Sequence, residues 1–147
     1  MQIDWMQTSK HAPAENTEVA ILVPITDNNG DYRQIPTIAT YSKEGRYEST
    51  TNYYKNVSYY IPFSRDVDIS PPDGFAKFTK LAGPSAKPET GDDPDIVYVV
   101  RMEHENRVTF ATADYKNDKW YNFAGGLYHV THAAPLPETP PMPEEYL

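Results

Sequence analysis

Short apolar or alternating runs, separated by polar turns, recur along the chain, and no segment sustains a long 3.6-residue apolar period. Residues 19–25 (VAILVPI) form a compact apolar run and predict a buried strand. Asp27-Asn28-Asn29-Gly30-Asp31 is turn chemistry, because Asn and Gly tolerate positive φ. Residues 33–41 are rich in Ile and Thr, and Pro36 within them predicts an edge strand or a bulge. Lys43-Glu44-Gly45 predicts a tight turn into a strand over 46–51, and residues 57–61 predict another strand, stopped by Pro62. The second half repeats this rhythm. Strands are expected over 95–102, 107–115, 119–123 and 127–131, with turns at 103–106, 117–118 and 124–126. Phe75, Phe78 and Leu81, spaced i, i+3, i+6, predict a short helix over 75–81. Many short strands with polar turns predict an all-β fold with at most one or two short helices.

The rhythm repeats because the landmarks do. Glu18-Val19-Ala20-Ile21-Leu22-Val23 matches Asp95-Ile96-Val97-Tyr98-Val99-Val100 at an offset of 77. Residues 41–47 match 115–121 at an offset of 74, with the flanking tyrosines paired, Tyr41 with Tyr115 and Tyr47 with Tyr121. Residues 57–63 match 130–136 at 73, aligning Val57 with Val130, Ser58 with Thr131 and Pro62 with Pro135; Trp5 then pairs with Phe78. The common order and near-constant spacing predict an internal duplication, with loop-length changes absorbing the drift in offset. The expected division is 1–74 and 75–147, two similar antiparallel β units packed about a pseudo-twofold axis, the boundary lying near residues 69–74 (ISPPDG). Each half carries a net charge of −4.

Composition narrows the function. The 147 residues carry a net charge of −8, which disfavours direct nucleic-acid binding. Cysteine is absent, which removes disulfides, thiol nucleophiles and cysteine-held metals. No run of apolar residues is long enough to span a membrane, and the start lacks a leader-like apolar stretch, so a cytoplasmic protein is expected. Residues 82–94 are rich in Pro, Gly and charge and read as irregular. The segment 134–147, with Pro135, Pro137, Pro140, Pro141 and Pro143, predicts extended polyproline II chain.

The chain opens Trp5-Met6-Gln7-Thr8, then Pro13, then the 18–23 run, and closes Val130-Thr131-His132-Ala133-Ala134-Pro135-Leu136-Pro137. This pattern resembles the DUF551 family of short phage and prophage proteins. They open on a Trp-led segment, a Pro and a valine-rich strand, and close on Thr-His, two bulky residues and Pro-Leu-Pro. Ala133-Ala134 stand where that family carries its bulky pair. At about twice the family's usual length, the chain looks like a tandem duplicated or a diverged member. The resemblance implies a phage-type bacterial setting and no particular chemistry.

Catalytic patterns are sparse. His129 and His132, three apart on a strand, point to opposite faces and make a poor metal pair. His132 is expected to pack or hydrogen-bond near the closing prolines, His104 between Glu103 and Glu105 to be solvated, and His11 to lack a partner nearby in sequence. Asp66 and Asp68, and the Asp92-Asp93-Asp95 cluster, read as exposed carboxylates rather than an acid–base pair. Asp27-x-Asn29-x-Asp31 resembles the start of a calcium loop, but Tyr32 and Ile38 occupy the places where such a loop needs Gly and Glu. Asn56-Val57-Ser58 fits a glycosylation acceptor without a secretory context. No phosphate loop, dinucleotide fingerprint or nucleophile elbow is present. No catalytic residue, cofactor or metal site is therefore expected, and the chain reads as non-enzymatic.

Tyrosine is the informative residue. Seven of the twelve fall between residues 32 and 60. Tyr41, Tyr47 and Tyr59 are expected to build core. Tyr53 and Tyr54, flanked by polar residues, are the candidate contact surface, one ring on each face of a strand. The sequence thus predicts an accessory interaction module that binds a protein partner or itself. Two other readings stand beside it: an acidic phosphate-mimicking inhibitor of a host nucleic-acid or defence enzyme, and a small-ligand binder at the groove between the units.

Overall fold

A computed structural model describes residues 3–89 and 95–147. The first six strands are β1 (Met6–Gln7), β2 (Thr17–Thr26), β3 (Tyr32–Tyr41), β4 (Tyr47–Glu48), β5 (Tyr53–Tyr54) and β6 (Tyr59–Pro62). The next six are β7 (Thr79–Lys80), β8 (Tyr98–His104), β9 (Arg107–Lys116), β10 (Lys119–Asn122), β11 (Gly125–Gly126) and β12 (Val130–Pro135). They form two six-stranded antiparallel sheets, ordered β1-β6-β2-β3-β4-β5 and β7-β12-β8-β9-β10-β11. The strand order is the same in both. Among the described residues the one helical turn is a 3₁₀ turn, Glu144–Tyr146. The fold is all-β, built from two similar β units.

Registers fix which residues correspond. Val19 lies between Pro62 and Ala39, and Tyr98 lies between Pro135 and Ala113. Val19 therefore corresponds to Tyr98, an offset of 79 rather than the 77 expected from sequence. A two-residue slip leaves every side chain on its original face, so the apolar pattern alone does not detect it. Tyr41 pairs with Tyr47, whereas Tyr115 pairs with Trp120. Trp120, not Tyr121, therefore takes Tyr47's place. The cause is the turn: Asn117 and Asp118, both at positive φ, make a two-residue hairpin, while the first unit uses a longer loop with Gly45 at φ 78. The third match holds: Pro62 and Pro135 end β6 and β12, and Val57 and Val130 are both buried.

Other expectations need correcting. No helix forms over 75–81. Phe78 packs into the core shared by both units, whereas Leu81 joins the second unit's own cluster, so one helix face cannot serve both. The strand expected over 127–131 starts late, because His129 takes φ 60, and it continues to Pro135. The strand expected from Asp95 starts at Tyr98. Pro36 sits inside β3, opposite Leu22, but β4 covers only Thr40 and Tyr41, so β3 is locally an edge there. The carbonyl of Pro36 instead accepts from Thr112 Oγ1 at 3.1 Å, across to the other sheet.

Among the described residues, three clusters hold the molecule. The shared one takes Ala20, Ile61 and Phe63 from the first unit and Val99, Phe110, Ala134 and Leu136 from the second, with Trp5 and Phe78 packed against it. The register pairs Ala20 with Val99 and Ile61 with Ala134, so the two units contribute matching positions. The ring of Phe63 lies 4.9 Å from that of Phe110, and Phe78 is 6.0 Å and 5.7 Å from the two. The neighbouring residues of β2, Val19 and Ile21, turn the other way, to a cluster with Ala39, Tyr47, Val57 and Tyr60. Their counterparts Tyr98 and Val100 do the same, with Ala113, Trp120 and Val130. Burial on both faces explains the unbroken apolar run of β2. A unit of about 70 residues is marginal alone, and the shared cluster supplies the burial each lacks.

The tail begins as strand, since Ala134 and Pro135 belong to β12, and then crosses the first unit. Trp5 Nε1 donates to the carbonyl of Pro137 at 3.0 Å, Gln34 Nε2 to that of Pro140 at 2.6 Å, and the Tyr59 hydroxyl to that of Pro141 at 3.1 Å. The Tyr146 hydroxyl closes the crossing on the carbonyl of Val57 at 3.1 Å. Tyr59, expected in the core, holds the tail instead.

Candidate interaction surface

β5 is the terminal strand of the first sheet, reached by a turn in which Ser49 accepts from the backbone of Thr51 and Asn52. Alternation along β5 separates its two residues, as expected. Tyr53 is 50% exposed, with the Arg46 guanidinium 5.2 Å from its ring centroid. Tyr54 turns inward and packs against the cluster of Tyr47, Val57 and Tyr60. An open groove of about 420 Å³ runs beside them, walled by Thr8, Arg46, Tyr47, Lys55 and Tyr146. The surface therefore offers a cation, a half-exposed ring and a strand edge whose outer side pairs with no strand among the described residues.

Burial also acts on the hydroxyls of the inner rings. Burial pushes the Tyr47 hydroxyl well above the usual tyrosine range, and neighbouring Tyr41, Tyr60 and Tyr146 add to it. Tyr60 is raised for the same first reason, with Tyr41 second. Tyr41 and Tyr47 stack tilted at 4.9 Å. Tyr47 is core, as the sequence predicts, and Tyr41 is half-buried against the same cluster.

The equivalent hairpin of the second unit, β10–β11, carries no counterpart to the tyrosine pair. Gly126 stands where Tyr53 stands, and Leu127 where Tyr54 stands. Its exposed rings come from other positions: Phe123 is 87% exposed and Tyr128 74%. Sequence reasoning missed both. The signal was present in Phe123, since strand alternation after the inward Trp120 sends it outward, beside Ala124-Gly125-Gly126. Tyr128 lies beyond β11, next to His129 at φ 60, where alternation no longer predicts direction.

The other candidates disperse. His104 and His129 stack at 4.3 Å, a contact absent from the sequence reading, and His104 Nε2 lies 3.7 Å from Glu105 Oε1. Among the described residues no three His, Cys, Asp or Glu side chains gather as a metal set. His132 Nδ1 contacts Thr131 Oγ1 at 2.8 Å, and burial followed by Arg101 holds its ring below the usual histidine range. Asp66 and Asp68 lie in an exposed turn, not a strand, with the Asp68 amide donating to Asp66. Asp92 and Asp93 lie outside the described residues. Asp27 accepts from the amides of Asn29 and Asp31, closing a hairpin. Ser58 of the glycosylation-like triplet is fully buried. Burial raises the Asp114 carboxyl, with Lys116 opposing.

Between the units an open groove of about 430 Å³ is lined by Glu18, Ile38, Thr40, Glu48, Thr50 and Phe110. Arg65 pairs with Glu18 and lies 4.9 Å from the Phe110 ring centroid, so one of its two carboxylates is already partnered. No helix among the described residues is long and apolar enough to cross a membrane. No protein-family model, curated protein or solved structure matches the chain.

Proposed function

We propose that the chain is a non-enzymatic cytoplasmic interaction module of the phage or prophage kind, and that it binds a protein partner or a second copy of itself through the β4–β5 edge. The observation that carries this reading is Tyr53: half-exposed on a terminal strand and held beside Arg46, where the equivalent hairpin has glycine. A ring with two torsions gives contact area at little entropic cost, and Arg and Tyr are common where binding energy concentrates. The experiment is capture from bacterial lysate at low and high salt, with sedimentation of the pure chain to read self-association. Tyr53→Ala should weaken capture or self-association by about 2 kcal/mol. Binding untouched by that change would remove the reading. Binding lost only at high salt would favour the acidic-inhibitor reading, since charge mimicry is screened.

A second reading, a small-ligand binder, is favoured by the inter-unit groove and the Glu48 carboxylate lining it. Glu48→Gln, scored by thermal shift against a library of small amines and sugars, separates the two. A ligand whose stabilisation vanishes in this variant would support the groove.

A further inference from the structure

Proline dictates the shape of the tail. Pro135, Pro137, Pro140, Pro141 and Pro143 fix their own φ, and each residue preceding a proline is pushed to extended backbone. Pro143 shows the result, with φ −61 and ψ 145. In a polyproline II helix, which repeats every three residues, carbonyls three residues apart share one side about 9 Å apart, and Pro137 and Pro140 have that spacing in the sequence. Both carbonyls are taken from the first unit, by Trp5 Nε1 and Gln34 Nε2, and Tyr59 adds the carbonyl of Pro141. All three contacts fall on main-chain carbonyls, two of them three residues apart, and none on a side chain of the tail.

The donors are built for this. Ser58, fully buried, donates to Gln34 Oε1 at 2.6 Å, which leaves Nε2 of the same amide facing the tail. The second unit does not repeat the set. At the places of Trp5 and Gln34 it has Phe78 and Val108, which carry no donor. At that of Tyr59 it has His132, whose Nδ1 is engaged with Thr131 Oγ1 at 2.8 Å.

We propose that the face formed by Trp5, Gln34 and Tyr59 is a docking site for a proline-rich, polyproline II segment of another protein, and that residues 136–147 occupy it in cis. The tether gives the tail an effective concentration in the millimolar range, so an outside segment binds by competing with it. The site is distinct from the Tyr53 edge, but the two adjoin: Tyr146 lines the groove beside Tyr53 and Tyr54. Displacing the tail would widen that groove.

The two tryptophans give a direct readout, because Trp120 Nε1 is held on the carbonyl of Ala86, away from the tail. Isotope-labelled full-length chain is titrated with a decaproline peptide and, separately, with a Gly-Ser peptide of equal length. Decaproline should move the Trp5 indole peak saturably and leave that of Trp120 in place, and the Gly-Ser peptide should move neither. With Pro137, Pro140 and Pro141 all replaced by Gly, the cis competitor loses its pre-set conformation. The apparent Kd for decaproline should then fall at least tenfold, and adding Gln34→Ala should raise it again at least fivefold. A glycine variant that keeps its dispersed spectrum but shows no Trp5 shift at millimolar decaproline overturns the proposal. So does an equal response to the Gly-Ser peptide. If the triple variant unfolds, Pro140→Gly alone replaces it under the same criteria.

Discussion

The two β units share strand order and core positions but use their far hairpins differently. In the first, the ring inside the hairpin is Tyr47, which borders an open groove and leaves a tyrosine pair on the adjoining edge. In the second, Trp120 occupies the same place, 1% exposed, with Tyr98 and Tyr115 rings at 5.1 Å and 5.0 Å and its indole on Ala86. The larger ring fills its site completely, and the segment carrying Leu81 and Ala86 closes over it. The smaller ring leaves its site to be closed by Tyr146 of the tail. One architecture therefore yields a unit whose hairpin ring is covered from within and one left open beside its hairpin ring. The open one carries Tyr53, Trp5, Gln34 and Tyr59, the groups proposed here to bind.

That contrast can be broken first by truncation. Trp120→Ala should cost about 3–5 kcal/mol in urea unfolding, because the surrounding rings cannot collapse into the hole. Tyr47→Ala should cost about 2 kcal/mol, since water and neighbouring side chains can enter from the groove. Equal losses would show that the two hairpins are equally sealed. Val130→Asp and Val57→Asp should each cost about 3 kcal/mol or more, because both bury an unpaired charge at matching positions. Tolerance at one site alone would mean that the units do not correspond there.

Changing pH sharpens the contrast more gently. The folded state raises Tyr47 above its ordinary 10.0, so its contribution is fully present below pH 10 and is lost as pH rises toward the folded value. Tyr47→Phe should flatten the alkaline limb of the melting curve. In the second unit the sign reverses. His132 is held below its ordinary 6.5 by burial first, then by Arg101 and Lys80, against Asp68 and Glu103. Its contribution is present above pH 6.5 and is lost as pH falls through the folded value, so His132→Gln should flatten the acid limb. An unchanged limb in either variant removes that residue from the account. The smallest effect is expected at Tyr53→Ala, within about 0.5 kcal/mol of the parent in stability. A large loss there would place the ring in the core and withdraw it from the proposed surface.

Much of this was legible in the sequence. The period-two runs, the turn residues and the repeated landmarks indicated an all-β duplicate, because side-chain alternation and turn chemistry are local properties of the chain. The match of Val57 with Val130 and Pro62 with Pro135 held for the same reason: a proline has no amide to donate and so favours the end or the edge of a ladder. Tyr53 and Tyr54 were legible as opposite-facing rings by alternation alone. Local pattern had no way to choose between registers two residues apart, because both keep the same faces buried, and the choice came from the neighbours of Val19 and Tyr98. Nor could it divide Phe78 from Leu81, whose helix-like spacing conceals two destinations. The sequence by itself determined that residues 135–143 would be stiff and extended, since proline fixes φ one residue at a time. Where that stiff chain lies, and that Trp5, Gln34 and Tyr59 meet its carbonyls from positions 82 to 132 residues away, only the tertiary structure decided. Hydrogen bonds over such separations depend on the docking of whole sheets, which no window of the sequence contains.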